Sequence, residues 1–270
     1  MPFNPDRINI HELTIEEPEK QAELPFDVER DITKEDWAKM REKLENPSGS
    51  NRVGDFIEQV CAIKIIDSSK ELNIDQAFWQ RLVDKLEEYR RDNNWDNFTW
   101  LAMRMKIIDP TQELDIDQDA LLSIKKTLET CGRARQWITF SQHAMRMKIF
   151  DPSLDLSLDE VAREGMRNIL EQSKQDNNWY GFSSDAMRMK IFDPSLDLSL
   201  DEAAWQGMKN TMEEFREASS WDKFPLLAMN MKILAAEKVE VTENGLELTM
   251  PKKKESLATS VPPIPEIKKF

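Results

Sequence analysis

A chain of 270 residues with 51 acidic and 37 basic side chains has a formal charge of −14, the opposite of the basic footprint that phosphate neutralisation asks of most nucleic-acid binders. Hydrophobic residues make up 40%, enough for one or two domains with a real core, yet no apolar run is long enough to span a bilayer. The start, MPFNPDRINIHELTIEEPEK, lacks the basic-then-apolar layout of a secretory leader, and the two cysteines, Cys61 and Cys131, form neither a CxxC motif nor a disulfide framework, so a reducing cytoplasmic setting is expected.

Residues 1–30 carry eight acids against three bases, with prolines at 2, 5, 18 and 25, and read as an extended arm. A repeat follows. The lysine of an MKI motif recurs at Lys64, Lys106, Lys148, Lys190 and Lys232, and Trp95, Trp137, Trp179 and Trp221 keep the same spacing of 42. Five units result, at 31–67, 68–109, 110–151, 152–193 and 194–235. The stretch AMRMKIFDPSLDLSLDE, present at 144–160 and again at 186–202, spans the join between two units.

Each unit predicts two helices. In the fourth, Ser157 and Glu160 are spaced as a capping box, with Leu156 and Val161 as the flanking staple. Ala162, Met166 and Leu170 then form one apolar stripe, matched by Phe78, Leu82, Leu86 and by Ala204, Met208, Met212. The first helix should end near Lys174, Asn178 should cap the second, and Trp179, Phe182, Ala186 and Met189 give that helix its apolar side. Asp151-Pro152 and Asp193-Pro194 stop the second helices, because a residue before proline resists the helical region. Beyond the units, alternation in 238–250 around Asn244-Gly245 predicts a β-hairpin over the exposed last unit. The tail 251–270, with five lysines against two glutamates, should be disordered.

A helix pair cannot bury both its faces alone, whereas stacked pairs can, so the expected fold is all-α: a right-handed α-solenoid with a small C-terminal hairpin. In period and layout residues 31–235 resemble the HEAT/armadillo class of helical repeats, without matching a specific family. The resemblance implies a concave surface lined by the second helices.

Little here points to catalysis. Only His11 and His143 are present, no nucleophile, phosphate-loop or metalloprotease motif occurs, and near-identical units offer the same groups along an axis instead of different groups at one point. His143 takes a slot filled elsewhere by Leu101, Asp185 and Leu227 and reads as a surface variant. A pocket where units diverge, around 131–135 and His143, is the one exception to consider. The acidic turn 151–160 lacks the ligand rhythm and glycine of a calcium loop, so no metal and no cofactor are expected. The ladder lysines fall within the apolar side of the second helix and should pair with aspartates three residues on: Lys64–Asp67, Lys106–Asp109, Lys148–Asp151 and Lys190–Asp193.

Projection gathers Trp100, Arg104, Gln142, Arg146, Ser184 and Arg188 into a strip on the opposite side of the second helices. One reading makes this a partner-binding surface, since Trp and Arg dominate binding hot spots and arginine suits carboxylates. The other has the arginines pairing with nearby acids and Trp100 packing on its neighbour. The functional expectation is a non-enzymatic scaffold for a peptide or partner helix, an acidic one among the options, with the oligomeric state open between a monomer, slightly favoured, and stacking on another copy. The alternatives are a single-stranded nucleic-acid binder using the arginine ladder and an acidic nucleic-acid mimic.

Overall fold

The computed structural model describes residues 25–45, 52–69, 74, 76–111, 114, 116, 118–153, 158–242 and 245–251. The expected arm up to residue 24, the tail beyond 251, Leu156, Ser157 and Asn244 lie outside these residues.

The described chain runs through eleven helices and then one hairpin. A single turn, α1 (Val28–Asp31), leads to the pairs α2 (Lys34–Glu45) with α3 (Arg52–Ile66), α4 (Gln76–Arg91) with α5 (Trp95–Ile108), and α6 (Gln118–Ala134) with α7 (Trp137–Phe150). These are followed by α8 (Glu160–Gln175) with α9 (Trp179–Phe192), α10 (Glu202–Glu217) with α11 (Phe224–Ala235), and strands β1 (Lys238–Thr242) and β2 (Gly245–Thr249). No described helix is long and apolar enough to cross a membrane.

Within the last four pairs the turn is fixed by local chemistry. Asn94 N–H donates to Tyr89 O, Gln136 N–H to Cys131 O, Asn178 N–H to Ser173 O and Ser220 N–H to Phe215 O, each across five residues. The residue just before, Asn93, Arg135, Asn177 or Ser219, holds a φ of 51–55°. This is a Schellman turn, and it satisfies carbonyls that a helix end would leave bare. The side chains of Asn94 and Asn178 then cap α5 and α9 by accepting from Asn97 N–H and Gly181 N–H, as the sequence suggests for Asn178.

The first helices start differently from expectation. The cap of α8 is Asp159, whose Oδ1 accepts from Ala162 N–H at 2.8 Å, and Asp201 serves α10 in the same way. Ser199, the counterpart of Ser157, instead holds a left-handed φ of 50°. Val161 is 50% exposed, and its expected staple partner, Leu156, lies outside the described residues. A reciprocal box does occur at α2: Thr33 N–H donates to Asp36 Oδ2 and Asp36 N–H to Thr33 Oγ1.

The apolar stripes are buried as predicted, with Leu82, Met166, Leu170, Met208 and Met212 in the core. On the second helices Phe98, Phe182 and Phe224 are fully enclosed, each contributing roughly 1.5–3 kcal/mol. Each ring also carries a cation from the end of its own first helix: Arg90 over Phe98, Lys174 over Phe182 and Arg216 over Phe224, at 5.4–5.6 Å.

The pairs do not end as an open array. α3 packs on α5, α5 on α7, α7 on α9 and α9 on α11, and α11 returns to pack on α3. The second helices therefore close into a ring of five, with first helices set around it. Ladder lysines stitch this ring together. Lys106 Nζ donates to Ile149 O, Lys190 Nζ to Leu234 O and Ala236 O, and Lys232 Nζ to Ile66 O, each on the following second helix and the last across the closure. Lys64 and Lys148 donate to the nearer Ser68 O and Pro152 O. The expected carboxylate three residues on is committed to its own turn, where Asp67, Asp109, Asp151 and Asp193 accept from the N–H and hydroxyl of the Ser or Thr two residues later. A buried ammonium prefers the carbonyls at a helix C-terminus, where the dipole is negative. At the same closure Arg216 grips Asp36 through Nε at 2.8 Å and Nη2 at 2.9 Å.

The hairpin, in register Lys238↔Thr249 to Thr242↔Gly245, rests on α5, α7 and α9 and does not cover an exposed last pair, because the ring leaves none. Gly245, at φ 101°, sits beside Pro110 and Lys106 O, a left-handed position that favours glycine.

Candidate functional site

Ring closure changes where the strip residues lie. With about 100° per residue, positions 184 and 188 fall on the far side of α9 from Phe182, which faces α8. The same holds for α5 and α7, so the strip faces the inside of the ring. Groups repeated along an axis in an open array converge here on one space.

Arg104 on α5 reaches Glu58 on α3 through Nη2, and its guanidinium lies 3.9 Å from the centre of the Trp100 ring. Arg146 on α7 holds both Asp96 O and Asp96 Oδ1 on α5. Arg188 pairs with Asp185 one turn earlier on α9, at 2.7 Å. Asn230, the α11 counterpart of these arginines, donates to Ser183 Oγ and Ser184 Oγ at 3.1 and 3.2 Å. Gln142, on α7, is half-buried. The structure thus brings all six strip residues to the ring interior, with each arginine on a carboxylate and Trp100 against Arg104.

Electrostatics agree with a shared interior. Burial pushes Arg146 below its ordinary value, Asp96 opposes the shift, and the charges of Arg104 and Arg188 add to it. The Tyr180 phenol on α9 is raised by burial and then by Glu58, while Arg104 pulls it down. Glu58 and Arg104 stand on α3 and α5, neither of which flanks α9, so these influences cross the ring. Asp185 is raised, with burial outweighing Arg188. Two interior polar atoms are buried without a hydrogen bond: Arg104 Nη1 and Asn230 Oδ1. An unpaired N–H on a desolvated guanidinium is a strong donor for an incoming oxyanion.

Glu58, Asp96, Asp185 and Tyr180 were not singled out from the sequence. The signal for Glu58 was present, since it stands 42 residues before Trp100 in the same slot. His143, expected at the surface, is only 6% exposed, because α7 is enclosed on both sides. The acids of the turn at 193–201 are occupied with local backbone and hydroxyl donors, and no described cluster of His, Cys, Asp and Glu could hold a metal ion. Both cysteines are buried and free, and burial pushes the Cys61 thiol up to about 12.

The fold is mostly helical with one small antiparallel hairpin, and the site is a charge-balanced interior of arginines, carboxylates and one stacked tryptophan. No family model, curated protein or solved structure matches this chain.

Proposed function

We propose that the chain is a non-enzymatic interaction protein, built of five 42-residue two-helix units in a HEAT-like layout closed into a ring, that takes a slender acidic segment of a partner protein into the ring interior. The observation that carries this reading is Arg104 Nη1, buried and unpaired beside Trp100, where the guanidinium groups of α5, α7 and α9 gather. A carboxylate there would complete the fork that Glu58 fills from one side. Because each arginine already has a carboxylate, the interior offers no uniform phosphate track, which favours a single acidic group over a nucleic-acid strand.

The test is binding to arrayed peptides ending in a free carboxylate, with the same peptides amidated as controls. The chain should prefer the free acids, and Trp100→Ala or Arg104→Gln should weaken binding by about tenfold or more, about 1.4 kcal/mol, with the unfolding midpoint little changed. Equal binding to both peptide sets, or retention in both variants, would reject the reading.

A further inference from the structure

The two mouths of the ring differ. Lys106, Lys190 and Lys232 each donate to carbonyls at the end of the next second helix, so the C-terminal ends of these helices meet at one mouth. The hairpin lies across that mouth. It leaves α11 at Ala236, whose carbonyl accepts from Lys190, and then β1 packs on α9 and α7 while β2 packs on α5. Gly245, at its turn, sits beside Lys106 O and Pro110, at the end of α5. In the ring α5 and α7 stand opposite α11, and with neighbouring axes about 8–10 Å apart that chord is about 13–16 Å. Strands of five residues span about 16 Å, enough to cross it. Burial agrees. Val239 and Val241 pair with Leu248 and Leu246 on one face, and Val239 shares a buried cluster with Phe192 and Leu234, at the ends of α9 and α11. Glu240 and Glu247, on the other face, are exposed.

From the opposite mouth, exposure falls with depth. Asn97, Thr139 and Lys223 stand two turns before Arg104, Arg146 and Asn230, on nearly the same line of each helix. Asn97 and Lys223 are exposed and Thr139 is half-buried, whereas Arg146 and Asn230 are buried. The wall between pairs is tight where Gly165 on α8 lies under Trp137 and Gly207 on α10 under Trp179. A Cβ on either glycine would come closer than 3.0 Å to the indole. The interior is therefore a blind cup, open at the N-terminal ends of the second helices. It is also narrow: the axes stand about 7–8 Å from the centre, which leaves about 5 Å inside the Cα cylinders before side chains are counted. That admits one extended chain and no loop doubling back, whose two strands alone lie about 4.8 Å apart.

We infer, resting on the peptide reading above, that the acidic segment is the carboxyl terminus of the partner, inserted end first and stopped by the hairpin. Along α5, Arg104 and its stacked Trp100 lie toward the closed end: Arg104 is nine residues from Trp95, about 14 Å, but four from Ile108, about 6 Å. About four extended residues fill the first distance, and the second holds fewer than two. A chain continuing past its carboxylate would meet Val239 and Leu248. The groups it passes on the way in are accessible, since Trp100 and Gln142 are half-buried and the Arg188 side chain is 22% exposed.

The test is a pair of fusions measured by calorimetry with the full chain. The best-binding free-acid peptide from the array, ending in glutamate, is joined to one small folded domain through a tetraglycine link, at its amino end or at its carboxyl end. The amino-end fusion should bind within about twofold of the free peptide, and the carboxyl-end fusion at least about tenfold more weakly. As a second readout, Thr139→Cys should react with iodoacetamide in the free chain, against the slow background of buried Cys61 and Cys131. The bound amino-end fusion should slow that reaction about tenfold or more. Equal binding of both fusions, preference for the carboxyl-end fusion, or a Thr139→Cys that is unreactive when free or unprotected when bound would each overturn the inference and leave the peptide reading standing. Binding by no form of the peptide would remove both.

Discussion

Asp36 and Arg216 are 180 residues apart in the chain, and their contact exists only if the ring closes. A double-mutant cycle on this pair measures closure directly. Asp36 is almost fully buried and accepts from Arg216 Nε, Arg216 Nη2 and Thr33 N–H, while Arg216 also reaches Glu213 and Asp31 O. Removing the carboxylate strands two charge-assisted donors and a helix cap. At about 1.5 kcal/mol for each charged bond at the low end, and about 1 kcal/mol for the cap, Asp36→Ala should cost about 3–4 kcal/mol. The low end applies because Arg216 is a quarter exposed and keeps its other partners. Arg216→Ala should cost less, because Asp36 retains Thr33. The coupling energy from urea unfolding of the four proteins should be about 1–3 kcal/mol, the range for residues in direct contact. An open array predicts none, and a coupling under about 0.5 kcal/mol would refute closure. Burial alone would raise the Asp36 pKa, but the bonds from Arg216 and Thr33 outweigh it and hold it below the ordinary carboxylate value. The coupling should therefore be full above that ordinary value and disappear as pH falls through the folded one.

The glycines make a paired prediction. Gly207→Ala gains up to about 1 kcal/mol of helix propensity but forces the new methyl into Trp179, at a cost of about 1–3 kcal/mol, so the urea midpoint should fall or at best hold. Gly132→Ala, whose Cβ would meet Phe140 at an ordinary 3.8 Å, should be neutral or stabilising; the reverse order would show that the indole does not sit where described. For His143, a folded-state pKa below its ordinary value means that protonation favours unfolding. Stability should be unaffected by this group above about pH 6.5 and decline below it, and His143→Leu should remove that part of the decline. An NMR titration placing the His143 midpoint above that of His11 would contradict the burial argument.

The helices were legible because their signals are local. The stripe at Ala162, Met166 and Leu170, the Asn178 cap and the Asp-Pro stops each act within a turn or two of chain. The strip was legible as a strip, since Arg104, Arg146 and Arg188 share one helical face. Closure was not, because curvature is the sum of small rotations between pairs, set by how deeply side chains such as Trp137 seat on Gly165. One trace was present. Lys232 keeps the ladder lysine, although Ala235 replaces the aspartate expected beside it. That replacement suits an array with no successor, yet burial lowers the Lys232 pKa while Asp67, on the first pair, opposes the shift. The caps misled for a different reason: Ser157, Asp159 and Glu160 offer two overlapping registers, and the aspartate, two residues nearer the helix, takes the bond.

The lysine stitching also bears on how such a chain can lengthen. An open array accepts another copy at either end, since the newcomer needs only one neighbour. Here every second helix already has two, and the carbonyls at the end of α3 are taken by Lys232. A sixth helix pair would have to prise α11 from α3 and widen every crossing angle at once. The number of helix pairs is thus a property of the whole circle, which cannot take one more without opening.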